Sequence, residues 1–177
     1  MRVVETPVLT LEPQMAAHAD EMFMVLSDPA IYAYENEPPA SIEWLRTRFS
    51  KLESRTSSNG QEQWLNWVIR IPAAGLIGFV QATIHENGRA DIAYVLKSAN
   101  WGRGLASCAV RAMISELADH YQIRSLSAVF KRKNQRSMRL LERLGFTLAT
   151  PEEHIAHQVD AGELMMRKID LRITRPK

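Results

Sequence analysis

The stretch NWGRGLASCAVRAM, residues 100–113, sets two glycines and an arginine directly against a helical apolar pattern. Glycine costs about 1 kcal/mol against alanine inside a helix. A helix that begins through Gly102 and Gly104 therefore implies that something must come close to its backbone. A helix start leaves its first N–H groups without partners and carries about half a positive charge. Glycines let an anion come within hydrogen-bonding distance of those groups. Gly102, Arg103, Gly104, Leu105 and Ala106 thus form a candidate diphosphate cradle, with Arg103 as a cation beside it. A tight turn that needs glycine at positive φ would explain the same residues, and spacing alone leaves both readings open. Two nucleotide motifs fit poorly. A P-loop needs a longer loop ending in Gly-Lys-Ser/Thr, and the dinucleotide fingerprint needs a third glycine in a parallel βαβ unit.

On either side of this turn the chain alternates between strand and helix patterns. PVLTLEP, with Leu9 and Leu11 on one side and Pro7 and Pro13 as bounds, predicts a first strand. Met15 to Leu26 predicts a helix through Met15, Ala19, Met22, Met24 and Leu26, ended by SDPA. Ser41 caps the next helix, with Ile42, Leu45, Phe49 and Leu52 on one face. WLNWVIRI and GLIGFVQATI, separated by residues 72–74, predict a hairpin, and DIAYVL follows the turn HENGRA as a further strand. The helix after the glycine turn runs to about Tyr121, and SLSAVF is the next strand. NQRSMRLLERLGF is another helix, with Asn134 as N-cap, Met138, Leu141 and Leu144 inward, and Gly145 as its C-terminal glycine. LMMRKIDL closes the series as a strand. This order predicts a mixed α/β domain over residues 1–177, one sheet with helices on it rather than a doubly wound repeat.

Composition sets further bounds. The chain has 177 residues, of which 46% are apolar and 24% charged, as expected for one globular domain. A net charge of +2 gives no argument for nucleic acid. No apolar run approaches the roughly 20 residues of a membrane span, and the N-terminus lacks a leader pattern. Cys108 is the only cysteine, so no internal disulfide forms and a reducing, cytoplasmic compartment is expected. It falls within an apolar helical pattern and is expected to be a buried small hydrophobe rather than a nucleophile.

Two segments together resemble the GNAT superfamily of N-acetyltransferases: Trp101-Gly102-Arg103-Gly104-Leu105-Ala106 and, one strand later, NQRSMRLLERLGF. The family's acetyl-CoA loop reads Gln/Arg-x-x-Gly-x-Gly/Ala. Trp101 replaces its first residue, as in the branch of ribosomal-protein N-terminal acetyltransferases, which the opening ETPVLTLEP also resembles. The resemblance implies a twisted, mostly antiparallel sheet of about six to seven strands, splayed centrally, with helices on both faces. It implies acetyl-CoA as cosubstrate, its pantetheine arm lying as an added strand beside Tyr94, Val95 and Leu96. Asn134 would contact that arm as well as cap its helix.

The chemistry implied is direct transfer of acetyl from a thioester to a neutral amine. It needs an amine proton removed, an oxyanion stabilised and a thiolate helped to leave. Many relatives place a tyrosine acid where this chain has Leu141. Ser137 is then the candidate near the sulfur, unless it serves only as a polar residue of the first helical turn. The oxyanion donor is expected to be a strand N–H near Val95. Asp91 and Glu86 are candidate bases, each also readable as a solvated turn residue, with His85 nearby. Glu35, Glu37 and Glu43 lie in a segment that spacing does not place.

The cluster of residues 131–133 with Arg136, Arg139 and Arg143 reads either as a solvated basic face or as a contact for the 3′-phosphate of coenzyme A. His154 and His157 have helical spacing but no supporting ligands, so no metal is expected. The acceptor is a small-molecule or peptide amine, and the chain a monomer or homodimer, with no nucleic acid or membrane. Trp44, Trp64, Trp67, Tyr32 and Tyr34 are candidates for the acceptor side. A coenzyme A-binding module without catalysis and a regulatory domain remain alternatives at this level.

Overall fold

The computed structural model describes residues 1–34, 37–85, 87–169 and 171. Its centre is a sheet of eight strands: β1 (Val4–Glu5), β2 (Thr10–Pro13), β3 (Glu62–Ile71), β4 (Gly75–His85), β5 (Arg89–Leu96), β6 (Ser125–Lys131), β7 (Thr147–Leu148) and β8 (Glu163–Ile169). The spatial order is β1-β2-β3-β4-β5-β6-β8-β7. Every neighbouring pair is antiparallel except β5–β6, which is parallel. The expected mixed sheet is present, with eight strands rather than about six to seven. The additional strands β1 and β7 have two residues each, too short for any periodicity to register.

The helices are α1 (Ala19–Leu26), α2 (Ile42–Leu52), α3 (Leu105–His120), α4 (Gln135–Arg143) and α5 (Pro151–Ala156). They divide between the two faces of the sheet. Ala19, Met22, Val25, Leu26, Leu45 and Phe49 of α1 and α2 bury against Val68 and Leu76. The larger core lies on the opposite face, where α3 and α4 contribute Ala109, Val110, Met113, Leu117, Leu140 and Leu141 against Trp67, Val80 and Ile92. The strands' alternation sorts these sets: even residues of β3 from Asn66 to Val68 face α1 and α2, while Leu65, Trp67 and Ile69 face α3.

Three local readings change. The helix expected from Met15 is a 3₁₀ turn (Ala16–His18) followed by α1. Met15 and Met24 are exposed, and Val25 takes the inward place assigned to Met24, because the buried stripe is Ala19, Met22, Val25 and Leu26. The segment after SDPA is not a simple turn: Asp28 caps a 3₁₀ turn, Pro29–Tyr32. α5 was not anticipated, although Thr150 and Glu153 form a reciprocal capping box with Pro151 in the first turn, a signal legible in TPEE.

The parallel β5–β6 contact produces the opening that holds the site. The two strands pair only at Arg89–Ser125, Ala90–Leu126 and Asp91–Ser127. From Ile92 and Ala128 onward they diverge. β5 remains paired with β4 as far as Leu96, and β6 with β8 as far as Lys131. The sheet is therefore splayed at its middle, as the resemblance implied.

Candidate active site

Two cavities open on this splay. One, of about 620 Å³, lies along Gly102, Gly104, Leu105, Ala106 and Ser107 and is walled by Arg136, Arg139 and Arg143 of α4. The other, of about 490 Å³, lies between the sheet and α2, lined by Trp44, Leu45, Arg48 and Phe49 on one side and Asn66, Phe79, Gln81 and Ala93 on the other. They meet at Tyr94, Val95, Asn134 and Ser137, which line both. Ile31 and Tyr34 line both as well.

The glycine turn has the conformation that one reading requires and the open space that the other requires. Gly102 and Gly104 have φ of +75° and +76°, a region costly for other residues. A Cβ built on either would meet nothing within 4 Å. The conformation demands glycine, and the bare space beside it admits a ligand. Gly104 is the N-cap of α3 and has no side chain to cap it, and no acidic residue stands in the first turn. The leading N–H groups of α3 are therefore left without a side-chain cap beside the cavity, an arrangement suited to an anion. Trp101 closes the turn from one side, its Nε1 donating to Leu96 O at 2.8 Å. The Arg136 guanidinium lies 4.0 Å above the Trp101 ring, an attractive arrangement.

Arg103 does not line the cavity; its Nη1 donates to Asn100 Oδ1 at 3.4 Å. The cations facing the cavity come from the next helix instead. Of the basic cluster, Lys131 pairs with Glu163 at 2.7 Å, whereas Arg136, Arg139 and Arg143 line the cavity wall.

Backbone alternation assigns the free edge of β5. Lys97 N donates to Ile77 O of β4 at 2.8 Å, so Val95, two residues back, also turns its N–H toward β4, and a Cβ on Gly78 would strike its carbonyl. Tyr94 and Leu96 consequently present their N–H groups to the splay. Val95, beside which a donor was expected, turns its own N–H away from the splay.

Asn134 Oδ1 accepts from Ser137 N at 3.1 Å, the cap expected of it. Its Nδ2 is the end left for a ligand. Tyr94 donates its O–H to Ser137 O at 3.4 Å, and burial pushes its phenol up to about 12, partly offset by that hydrogen bond. The phenol therefore stays neutral, a donor at physiological pH. Leu141 is 1% exposed in the core, so α4 offers no phenol there.

The candidate bases separate. Asp91 sits at the paired end of β5, where its carboxylate accepts from Ser127 Oγ and meets His85 Nε2 at 2.8 Å. Neither Asp91 nor His85 lines either cavity. Glu86 and Glu35 lie outside the described residues. Glu37 is the one carboxylate among the described residues lining the cavity under α2. Tyr32, Tyr34 and Trp44 line that cavity too, while Trp67 is fully buried, with Nε1 donating to Arg2 O at 3.1 Å.

Cys108 is half-buried rather than buried, 3.7 Å from Thr6 Oγ1, and lines neither cavity. His154 is engaged at both ring nitrogens, by Thr150 O at 2.9 Å and Met165 N at 3.1 Å. No group of three His, Cys, Asp or Glu able to hold a metal occurs among the described residues. No helix among them is long and apolar enough to cross a membrane.

Comparison with known proteins agrees with this geometry. The family model described as an acetyltransferase (GNAT) domain matches residues 9–147. An uncharacterised N-acetyltransferase, p20, of Bacillus licheniformis is 28% identical over 148 residues, 82% of this chain and 83% of that protein. Among solved structures, RimL, a ribosomal L7/L12 alpha-N-protein acetyltransferase in complex with coenzyme A, has a TM-score of 0.78 at 18% identity, covering 97% of this chain and 99% of that one. The ribosomal-protein-S5-alanine acetyltransferase of Vibrio fischeri has a TM-score of 0.76 at 16% identity, covering 98% and 99%. The self-immunity acetyltransferase MccE, in complex with acetyl-CoA and AMP, has a TM-score of 0.77 at 20% identity, covering 93% of each chain.

Proposed function

Because the chain belongs to the GNAT acetyltransferase family, we propose that it transfers acetyl from acetyl-CoA to the α-amino group of a peptidyl acceptor. The observation that carries this reading is the junction of two cavities at Tyr94, Val95, Asn134 and Ser137. A glycine-lined turn at the start of α3 opens on one side of it, and on the other a pocket whose charged lining residues are Glu37 and Arg48. Acetyl-CoA would supply the activated thioester. Gly102, Gly104, Leu105 and Ala106 hold its diphosphate, Arg139 and Arg143 its outer phosphate, and the free edge of β5 its arm, together with Asn134 Nδ2.

At the junction, an N–H of β5 facing the splay stabilises negative charge developing on the carbonyl oxygen. Ser137 Oγ faces the departing sulfur as donor, and the neutral Tyr94 phenol, donating to Ser137 O, holds that turn in place. Glu37 accepts the amine proton, directly or through water. With the acetyl group passing straight to nitrogen, Cys108 has no covalent part.

The preference for an α-amine follows from protonation. A lysine amine, with pKa about 10.4, is neutral in roughly one molecule in 2,500 at pH 7; an α-amine, at about 7.7–8.0, in roughly one in six to one in eleven. The gap is about 3.5 kcal/mol, and a single open-mouthed carboxylate offers little to close it. Two matched peptides test this: one with a free α-amine and no lysine, one with a blocked N-terminus and one lysine. The α-amine peptide is expected to react faster throughout the neutral range. Faster reaction of the lysine peptide would overturn the choice of acceptor.

A further inference from the structure

The floor of the cavity under α2 carries an unexpected row. Gln14, just past β2, donates its N–H to Asn66 O at 2.9 Å. Asn66 of β3 lies opposite Gln81 of β4, and Gln81 opposite Ala93 of β5. Residues directly opposite one another share a face, and all four line this cavity. Three carboxamides therefore stand side by side across the sheet, about 4.8 Å apart, and the row ends at Ala93 beside the splay. The next row on the same face is Val68, Phe79 and Val95, packed with α1 and α2. On the other side the row is followed by Trp64, Thr83 and Asp91, toward the paired end of β5.

None of the three carboxamides makes a side-chain hydrogen bond among the described residues. Gln14 is 3% exposed and Asn66 5%, and Gln14 Nε2 is a buried donor without a partner. Such a group costs about 1–3 kcal/mol until something satisfies it. Apolar residues of similar size would remove the cost, so stability does not account for the row, whereas a ligand does.

A carboxamide offers donors and an acceptor with no net charge, so its complement is a neutral group that also does both. Glu37 is the one carboxylate lining the cavity among the described residues, which disfavours a polycationic acceptor. The row spans three strand spacings, about 14 Å, enough for up to four extended residues at about 3.5 Å each. Apolar walls from Ile31, Leu45 and Phe49 suit side chains above it. We propose that Gln14, Asn66 and Gln81 form a track that hydrogen-bonds the first backbone amides of a peptidyl acceptor and so sets acceptor specificity. The track rests on the transfer reading above: it orients the chain so that its α-amine arrives at the junction.

The test compares a tripeptide amide with an analogue whose second linkage is an ester, which removes one N–H and leaves the α-amine's basicity alone. Wild type is expected to favour the amide in kcat/KM by about tenfold, the size of one net hydrogen bond. Of Asn66→Leu and Gln81→Leu, the one that removes the partner of this N–H is expected to bring that ratio to unity. Acetyl-CoA affinity, by calorimetry, and the melting temperature stay at or above the wild-type values. A preference that survives in both variants, or a wild type indifferent to the linkage, overturns the track and leaves acetyl transfer standing. So does acetylation of glucosamine or spermidine but of no peptide. Failure to acetylate any amine while acetyl-CoA binds overturns the transfer reading, and the track with it.

Discussion

Replacing Gly104 with valine should abolish acetyl-CoA binding in a protein that remains folded. The folded state loses little. At φ +76° a valine is strained, but its side chain meets nothing within 4 Å. The strain amounts to about 1–2 kcal/mol, against a typical domain stability of about 5–15 kcal/mol. For a chain of this size that lowers the melting temperature by about 2–8 °C. Binding loses far more. The valine would stand before the leading N–H groups of α3, where the diphosphate must approach. Two charge-assisted hydrogen bonds at about 1.5–3 kcal/mol each make the loss at least about 3 kcal/mol, more than a hundredfold in Kd. Gly60→Val separates the two effects, because Gly60 has φ +71° and open space but lines neither cavity. Calorimetry with acetyl-CoA, alongside thermal melts, should show similar losses of stability and only one loss of affinity. Equal affinity in the two variants would refute the cradle.

Asn134→Ala should cost about 1 kcal/mol of stability through the lost cap and also weaken acetyl-CoA binding. Unchanged affinity in titration, with the melt shifted, would leave Asn134 a capping role alone. Cys108→Ser should retain turnover, and recovery of an acetylated Cys108 peptide from wild type during turnover would contradict direct transfer. Asp28 binds the Ser98 N–H at 2.7 Å and the Ala30 N–H at 3.0 Å. Its carboxyl is held below the ordinary value, chiefly by hydrogen bonding to Ser98. A lowered folded pKa stabilises above the unfolded value of about 3.9 and ceases to as pH falls through the folded one. The melting-temperature gap between wild type and Asp28→Asn should therefore narrow below about pH 4, and a constant gap would contradict the assignment.

Much of the fold was legible because its signals are local. Ser41 and Asn134 cap their helices as read, and Leu9 and Leu11 are buried together. What escaped depends on partners distant in sequence. β1 has two residues and is secured at the far side of the core, where Arg2 pairs with buried Glu116 at 2.9 Å. Around the junction, Gly102 and Gly104, and likewise Asn134 and Ser137, are close in sequence, which is why each pair reads as a motif. Arg103 was misplaced because a turn's sequence does not say which way a side chain leaves it. The carboxamide row could not be seen at all: Gln14, Asn66 and Gln81 become neighbours only through strand register. Asp91 and His85 are close to each other, but their own pairing holds them at the closed end of β5.

The central claim is that two cavities meeting at Tyr94 and Ser137 carry acetyl from coenzyme A to an amine. The most direct measurement incubates the protein with acetyl-CoA and a peptide bearing a free α-amine, following thiol release and peptide mass together. The account predicts one thiol released for each acetyl group gained, with the acetyl on the α-nitrogen. Tight acetyl-CoA binding with no thiol release, whatever amine is supplied, would contradict it and leave a coenzyme A-binding module without catalysis.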